Sequence, residues 1–519
     1  MRPLTGLRAA LLAIALALGG CASLPTDIAR NESHAATDTA TTRLGRASAT
    51  LTGAHAGSNA FRPLPDGVDA LLARLALAKA AERTLDLQYY IWRDDLTGRH
   101  LAHALIDAAD RGVRVRVLLD DVGTGADDDV LLALDTHPNI EIRLFNPVAN
   151  RSFRMLGMAS DFSRTNRRMH NKAFIADNQA AILGGRNIGD EYFDAGSDVA
   201  FGDLDVLTLG PVVPEVSASF DSFWNAAASL PIAALAGRAG DAAALASTRA
   251  ALDAFVAAEN ESPYVQGLAA EVARVTDERD GQWFWGKARL LHDDPDKIQH
   301  APGQAQGTLL TQFGNIGDEV RTDLFVVSPY FIPGDAGVAW FRKLTDRGVK
   351  VTILTNSLAA SDVGAVHSGY KRYREALLEA GVRLYELKPT AIEAAKDKKK
   401  KLFGASRASL HAKTFLFDRH AVFIGSLNLD ARSIELNTEI GLLCDSADMT
   451  RRMAEGLENN LDAVAWRLAL APDANGQKQL VWIEQTPDGA LTRTEEPDVG
   501  LMRRIGVWFL GLLPIESQL

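Results

Sequence analysis

Cysteine is nearly missing from this 519-residue chain, which has only Cys21 and Cys444. That excludes a CxxC metal or redox pair and leaves an exported chain no internal disulfide framework, so its stability must come from packing. An HExxH helix is also missing, as is any spaced cluster of histidines and acids, so neither a metal nor a cofactor is expected. Positive charge is in short supply. There are 55 Lys and Arg against 66 Asp and Glu, a formal net charge of -11. Phosphate backbones reward the opposite balance, so nucleic acid is not expected as the main partner. The apolar run Leu11 to Leu18 is too short for a permanent membrane-spanning helix. What the chain does have is length and 47% hydrophobic residues, enough to bury two sizeable cores.

The amino terminus reads as an export signal over residues 1–20. Arg2 and Arg8 flank the start of the apolar run, and Gly19 and Gly20 close it before Cys21. Leu18-Gly19-Gly20-Cys21 resembles the bacterial lipobox, which implies that Cys21 becomes the acylated first residue of a lipoprotein; a plain secretory signal cleaved elsewhere is the alternative. Two acyl chains anchor firmly, at about 0.8 kcal/mol per buried methylene. The expected location is therefore the bacterial cell envelope, anchored in a membrane and facing the periplasm. Ala22 after the cysteine permits outer-membrane sorting. Residues 21–60, rich in Ala, Thr, Ser and Asn, read as a flexible tether.

From Phe61 onward, helical and strand patterns alternate: a helix from Val68 to Arg83, a strand from Leu85 to Trp92, a helix to Ala109 and a strand from Val113 to Leu119. Such alternation predicts an α/β fold with a largely parallel sheet covered on both faces. The order then recurs. Asp110-Arg111-Gly112-Val113 is matched by Asp346-Arg347-Gly348-Val349, Ile142-Arg143-Leu144-Phe145 by Val382-Arg383-Leu384-Tyr385, and Tyr89-Tyr90-Ile91-Trp92 by Pro329-Tyr330-Phe331-Ile332. Two homologous halves, 61–230 and 306–470, are predicted, with a helical, Ala-rich connector over 231–305 that includes Trp283-Phe284-Trp285. Residues 471–519 form a carboxyl-terminal amphipathic segment. In it, Arg503 and Arg504 beside Ile505, Val507, Trp508, Phe509 and Leu510 suit either a bilayer interface or a last helix packed on the core.

The repeated unit carries reactive residues. The first half reads His170-Asn171-Lys172-Ala173-Phe174-Ile175-Ala176-Asp177, then after six residues Gly184-Gly185-Arg186-Asn187. The second reads His411-Ala412-Lys413-Thr414-Phe415-Leu416-Phe417-Asp418, then after six residues Gly425-Ser426-Leu427-Asn428. Side chains alternate across a strand, so His170 shares a face with Lys172, and His411 with Lys413. An imidazole beside an ammonium suits an anion better than a metal. Small residues at Gly184, Gly185, Gly425 and Ser426 allow close approach to a bound oxygen, and two lysines with Asn187 and Asn428 would surround one phosphate.

This doubled pattern resembles the phospholipase D superfamily, whose signature is His-x-Lys-x(4)-Asp followed by Gly-Gly or Gly-Ser and Asn. The resemblance covers about 61 to 470. It implies two homologous phospholipase D-type α/β sandwich repeats forming a pseudo-dimer with one shared active site. One histidine attacks phosphorus to form a phosphohistidine and the other protonates the leaving alkoxide. By family analogy His170 is the nucleophile and His411 the acid, which the residues alone do not separate. Each imidazole needs an acidic partner. The resemblance points to Asp203 after the first motif, with Asp205 nearby, and to Glu439 after the second. Asp177 and Asp418 complete the catalytic signature and, at strand ends, hold its loops.

Gly184 to Phe193, Asp203-Leu204-Asp205-Val206, Gly425 to Ser433 and Val366-His367-Ser368-Gly369-Tyr370 look like bacterial cardiolipin synthases, especially the C-type branch. That implies a phosphatidyltransferase working on phospholipids, with phosphatidylglycerol as acceptor and phosphatidylglycerol or phosphatidylethanolamine as donor. Hydrolysis to phosphatidic acid is the alternative reaction, and a secreted nuclease is disfavoured by charge and anchor. His367 and Tyr370 line the entrance, or His367 is a packed helix-start residue. Arg164, Arg167 and Arg168, and the lysines 396 and 398–401, are either headgroup contacts or solvated charge.

Overall fold

The computed structural model describes residues 23–519 apart from 27, 29, 125–126, 196–198, 260, 263, 268–282, 391–406, 487 and 514–515. Aliphatic and β-branched runs between turn signals become the strands of the first half: β1 (Asn59–Leu64), β2 (Thr84–Tyr89), β3 (Arg114–Asp120), β4 (Ile140–Phe145), β5 (Ala173–Ala176), β6 (Ala180–Gly184), β7 (Val199–Gly202), β8 (Asp205–Leu209) and β9 (Ser229–Pro231). β10 (Phe284–His292) follows. The second half supplies β11 (Asp323–Val327), β12 (Lys350–Asn356), β13 (Arg383–Leu387), β14 (Arg407–Leu410), β15 (Lys413–Phe417), β16 (Ala421–Gly425), β17 (Ile440–Asp445), β18 (Ala465–Pro472), β19 (Lys478–Thr486) and β20 (Gly489–Arg493).

The predicted repeat is visible in the pairing. β2, β3 and β4 run parallel, as do β11, β12 and β13. Each triplet continues on one side into an antiparallel run, β5–β6–β8 or β15–β16–β17. The sheet expected to be largely parallel is therefore mixed. Its antiparallel part follows from the tight turns at Asp177-Asn178 (φ 52° and 52°) and Asp418-Arg419 (φ 51° and 53°), since two successive left-handed residues fold a strand back beside itself.

Three boundaries differ from the sequence reading. The connector is helical over Ile232–Ala236 and Ala242–Glu259, but Phe284 and Trp285 open β10, which pairs antiparallel with β1 over residues 284–286 and with β17 over residues 287–292. β10 thereby welds the half-sheets into one eighteen-stranded ribbon. The expected tether is largely folded. It contains the helix Arg43–Thr52, capped by Thr42, and its backbone at Ser33 and Ala35 donates to Asn225 and Asp221 of the first half. Those partners satisfy polar groups that would otherwise stay in water. Residues 471–519 are more than an amphipathic segment, because β18 pairs with β13 and leads through β19 and β20 to the helix Leu501–Leu510.

Each half buries a core between its sheet and outer helices, with Leu85, Val115, Ile142 and Phe174 in one and Leu324, Val351, Ile353 and Phe415 in the other. A further cluster, including Phe61, Val206, Phe325, Leu416 and Leu442, joins the halves. At about 1.5–3 kcal/mol per buried large side chain, this shared cluster fixes the halves against each other. The histidine segments emerge beside the carboxyl ends of the parallel strands, where α/β sheets place their sites.

Candidate active site

The backbone of each histidine is held by the opposite half. His170 N–H donates to Thr438 O (2.9 Å) and Thr438 N–H to Arg168 O (3.0 Å). His411 N–H and Ala412 N–H both donate to Gly202 O (2.8 and 3.1 Å), continuing the parallel pair β7–β14. The side chains cross in the same way. His170 Nδ1 lies 2.9 and 3.1 Å from the carboxylate oxygens of Glu439, and His411 Nδ1 lies 2.6 Å from Asp203 Oδ2. The acid after each motif thus serves the histidine of the other. Asp205 serves neither, being paired with buried Arg74 at 2.9 Å.

The paired carboxylates differ. Burial would raise Asp203, but His411, Lys413 and Arg186 hold it well below the usual carboxylate range. Glu439 is pushed up to about 7 by burial, against the pull of Lys172 and a hydrogen bond from Ser426. Burial and the neighbouring lysines lower both imidazoles, His170 strongly; the Asp203 charge works to keep the proton on His411. Burial also lowers the two lysines, Lys413 to about 8, and an anion bound beside them would favour the charged form of both. Lys172 Nζ and Lys413 Nζ donate to the backbone oxygens of His170 and His411.

The small residues have distinct uses. A Cβ on Gly185 would stand 2.2 Å from Asp203 Oδ1, so glycine makes room for that carboxylate. At the equivalent position, Ser426 Oγ donates to Glu439 Oε2 (2.5 Å). Asn187 is tied within the first half, accepting from Ile91 N–H (3.2 Å) and donating to Tyr192 (2.9 Å). Asn428 Oδ1 is buried with no partner among the described residues, so of the two motif asparagines it is Asn428 whose amide is left to turn toward a ligand. Asp177 and Asp418 lie at the far ends of β5 and β15 and touch neither histidine. Asp177 accepts from the N–H groups of Glu82, Arg83 and Thr84, and Asp418 from those of Arg321, Thr322 and Asp323. They pin the strand β2 or β11 to its hairpin.

Several site residues carried no motif signal. Tyr90 packs edge-on to His170 (5.2 Å), with Lys172 over its ring; Tyr192 and Phe201 pack on His411 (5.1 Å each). Tyr330, the repeat counterpart of Tyr90, donates to Asp362 (2.7 Å). The matched Tyr90 and Tyr330 after equivalent strands were the available clue. Asp293, after β10, accepts from Glu439 N–H (2.9 Å) and Lys297 (2.9 Å) and so braces the acid that holds His170.

His367 and Tyr370 are not at an entrance. Both are buried in a charge network of the second half, with His367 on Glu496 (3.1 Å) and Arg374 (2.9 Å) and Tyr370 on Glu386 (2.9 Å). Buried polar groups need such partners, which is why these side chains point inward. Arg168 is likewise internal, gripping Asp120 at 2.9 Å, and so offers no headgroup contact. Lysines 396 and 398–401 and Cys21 lie outside the described residues. Among the described residues no helix is long and apolar enough to cross a membrane, and no group of three or more His, Cys, Asp or Glu could hold a metal ion.

Comparison with known proteins agrees with this arrangement. The family model described as cardiolipin synthase, PLD-like domain, matches residues 74–224 and 318–461, one match per half. Cardiolipin synthase C of Escherichia coli K12 is 40% identical over 91% of this chain and 99% of its own length. An uncharacterized Helicobacter pylori protein is 32% identical over 94% of this chain and 95% of its own. Among solved structures, phosphatidylserine synthase of Haemophilus influenzae shares the fold, with a TM-score of 0.53 at 14% identity over 79% of this chain and 87% of that one. The chain belongs to the phospholipase D superfamily of phospholipid-modifying enzymes, among the cardiolipin synthase-like proteins of the C-type branch.

Proposed function

We propose that the protein transfers a phosphatidyl group to the glycerol hydroxyl of phosphatidylglycerol, forming cardiolipin, with phosphatidylglycerol or phosphatidylethanolamine as donor. The observation that carries this reading is the pair of buried, crossed imidazole–carboxylate contacts with unlike acids. Ionised Glu439 takes the Nδ1–H of His170 and leaves the Nε2 lone pair of a neutral ring free to attack phosphorus. The Asp203 charge favours His411 as imidazolium, which gives its proton to the departing alkoxide as the P–O bond breaks. Neutral His411 then takes the proton of the acceptor hydroxyl, whose oxygen displaces His170 from phosphorus. Lys172, Lys413 and the amide of Asn428 stabilise the charge on the phosphoryl oxygens.

Transfer over hydrolysis is supported by burial, with His170 8% and His411 5% exposed, which restricts water at the phosphohistidine. The reading also includes a lipid anchor at Cys21, on the strength of Leu18-Gly19-Gly20-Cys21, in the envelope facing the periplasm. Product analysis by mass spectrometry, on phosphatidylglycerol alone, on phosphatidylglycerol mixed with phosphatidylethanolamine and on an oligonucleotide, tests the reaction. Cardiolipin is expected; phosphatidic acid as the main product would make the enzyme a hydrolase, and cut oligonucleotides a nuclease. Fatty-acid labelling that survives Cys21→Ser would remove the anchor.

A further inference from the structure

Of the twelve large hydrophobic side chains exposed among the described residues, ten lie in residues 153–162 and 501–513. Phe153, Met155 and Phe162 project from a turn and the short helices Arg154–Ser160 and Phe162–Thr165. In the helix Leu501–Leu510, Val507 is buried against Gly364 of the helix Gly364–Tyr370. Leu501, Met502, Ile505, Trp508 and Phe509 follow a helical period on the outward side, Met502 79% and Trp508 54% exposed. Concentrated apolar exposure of this kind marks an interaction surface.

The two segments are joined beside the active site. Asn166, directly after the second short helix, donates to Gln518 (2.5 Å) and accepts from Arg432 (2.6 Å). Arg432 in turn holds the backbone oxygens of Gln518 (3.0 Å) and Leu519 (2.8 Å). Arg432 stands four residues beyond Asn428, and its charge bears on Tyr90, whose ring packs on His170. Leu24 lines a cleft with Pro147, Ser163, Arg164 and Arg167, on the side of the first segment. It is three residues after Cys21, a stretch of chain that spans at most about 11 Å.

We propose that residues 153–162 and 501–513 together form a membrane-docking face that inserts into the interfacial layer of a phospholipid bilayer and holds the histidines over its headgroups. The proposal rests on the phospholipid reading of the site. The occupant is a bilayer because aromatic and long aliphatic tips crowd the outer side of these segments while Arg154, Arg503 and Arg504 are drawn back onto Asp128, Ser361 and Glu495, which leaves the one-sided apolar face that interface-lying helices present. Leu24 puts the chain leading from the proposed anchor on the same side.

Trp508 is the exposed tryptophan among the described residues, so its emission reports the contact. With the full chain on vesicles of phosphatidylglycerol and phosphatidylethanolamine, brominated acyl chains should quench fluorescence relative to unbrominated ones, and Trp508→Phe should remove most of that quenching. Quenching without lipid turnover keeps the docking face and overturns the proposed reaction. Turnover without quenching, or quenching unchanged in Trp508→Phe, overturns the docking face. Met155→Glu combined with Phe509→Glu should cut turnover of bilayer phosphatidylglycerol about tenfold relative to a short-chain monomeric one. An equal fall on both substrates, or a lipid-free dimer that this variant splits, overturns it as well.

Discussion

The two halves share strand order, motif spacing and a lysine two residues after each histidine, yet they supply opposite electrostatics. Asp203, from the first half, stays ionised and favours the proton on His411; Glu439, from the second, titrates near 7 and sits on a strongly depressed His170. Duplication gave symmetry of backbone. The different roles of two identical side chains come from the unlike acids, together with Gly185 facing one and Ser426 the other.

The sharpest way to break this comparison is to remove each histidine. His170→Ala and His411→Ala should each lower turnover about a thousandfold or more, read by product formation. A substrate whose leaving group needs no proton should restore a single burst of leaving-group release in His411→Ala alone, without restoring turnover; such a burst in His170→Ala instead would exchange the roles. Next in size are the acids: Glu439→Gln and Asp203→Asn should each cost about a hundredfold in kcat. Below about 7 Glu439 takes a proton and His170 Nε2 loses its free lone pair, so the rate should fall as pH falls, and this limb should vanish in Glu439→Gln. Above about 8 Lys413 loses its charge and the rate should fall again.

Smaller effects distinguish the second tier. Gly185→Ala, whose Cβ would meet Asp203 Oδ1 at 2.2 Å, should cost about tenfold through displacement of that carboxylate. Ser426→Ala removes a hydrogen bond that lowers Glu439, so the acid limb of its pH profile should move upward with a milder rate loss. Glu386→Ala breaks the buried Arg374–Glu386 pair (2.7 Å) away from the histidines. It should reduce stability by about 3 kcal/mol in denaturant titration while kcat stays within about twofold.

The doubled His-x-Lys motif, the repeat and the positions of Lys172 and Lys413 were legible because strand alternation and equal spacing are properties of the chain itself; Gly185 and Ser426 were read as lining a bound oxygen, whereas they face the acids Asp203 and Glu439. The crossing of Asp203 and Glu439 was not, since it depends on β7 pairing with β14 and on Thr438 lying beside His170, contacts between distant segments. His367 and Tyr370 misled for a related reason: their neighbours Glu386, Glu496 and Arg374 come from other elements, and only packing shows that those groups claim the side chains. Polar composition likewise hid the folded stretch before Phe61, whose partners Asp221 and Asn225 lie far along the chain. The mixed sheet turned on the paired left-handed residues at Asp177-Asn178 and Asp418-Arg419.

The most direct measurement is to quench His411→Ala and His411→Asn reactions with a phospholipid bearing an acidic leaving group, digest the protein under alkaline conditions that preserve phosphoramidates, and locate the adduct by mass spectrometry. A phosphatidyl group on His170 is the expected result. An adduct on another residue, or single-step turnover in which none ever forms, would contradict a nucleophilic His170 oriented by the acid of the opposite half.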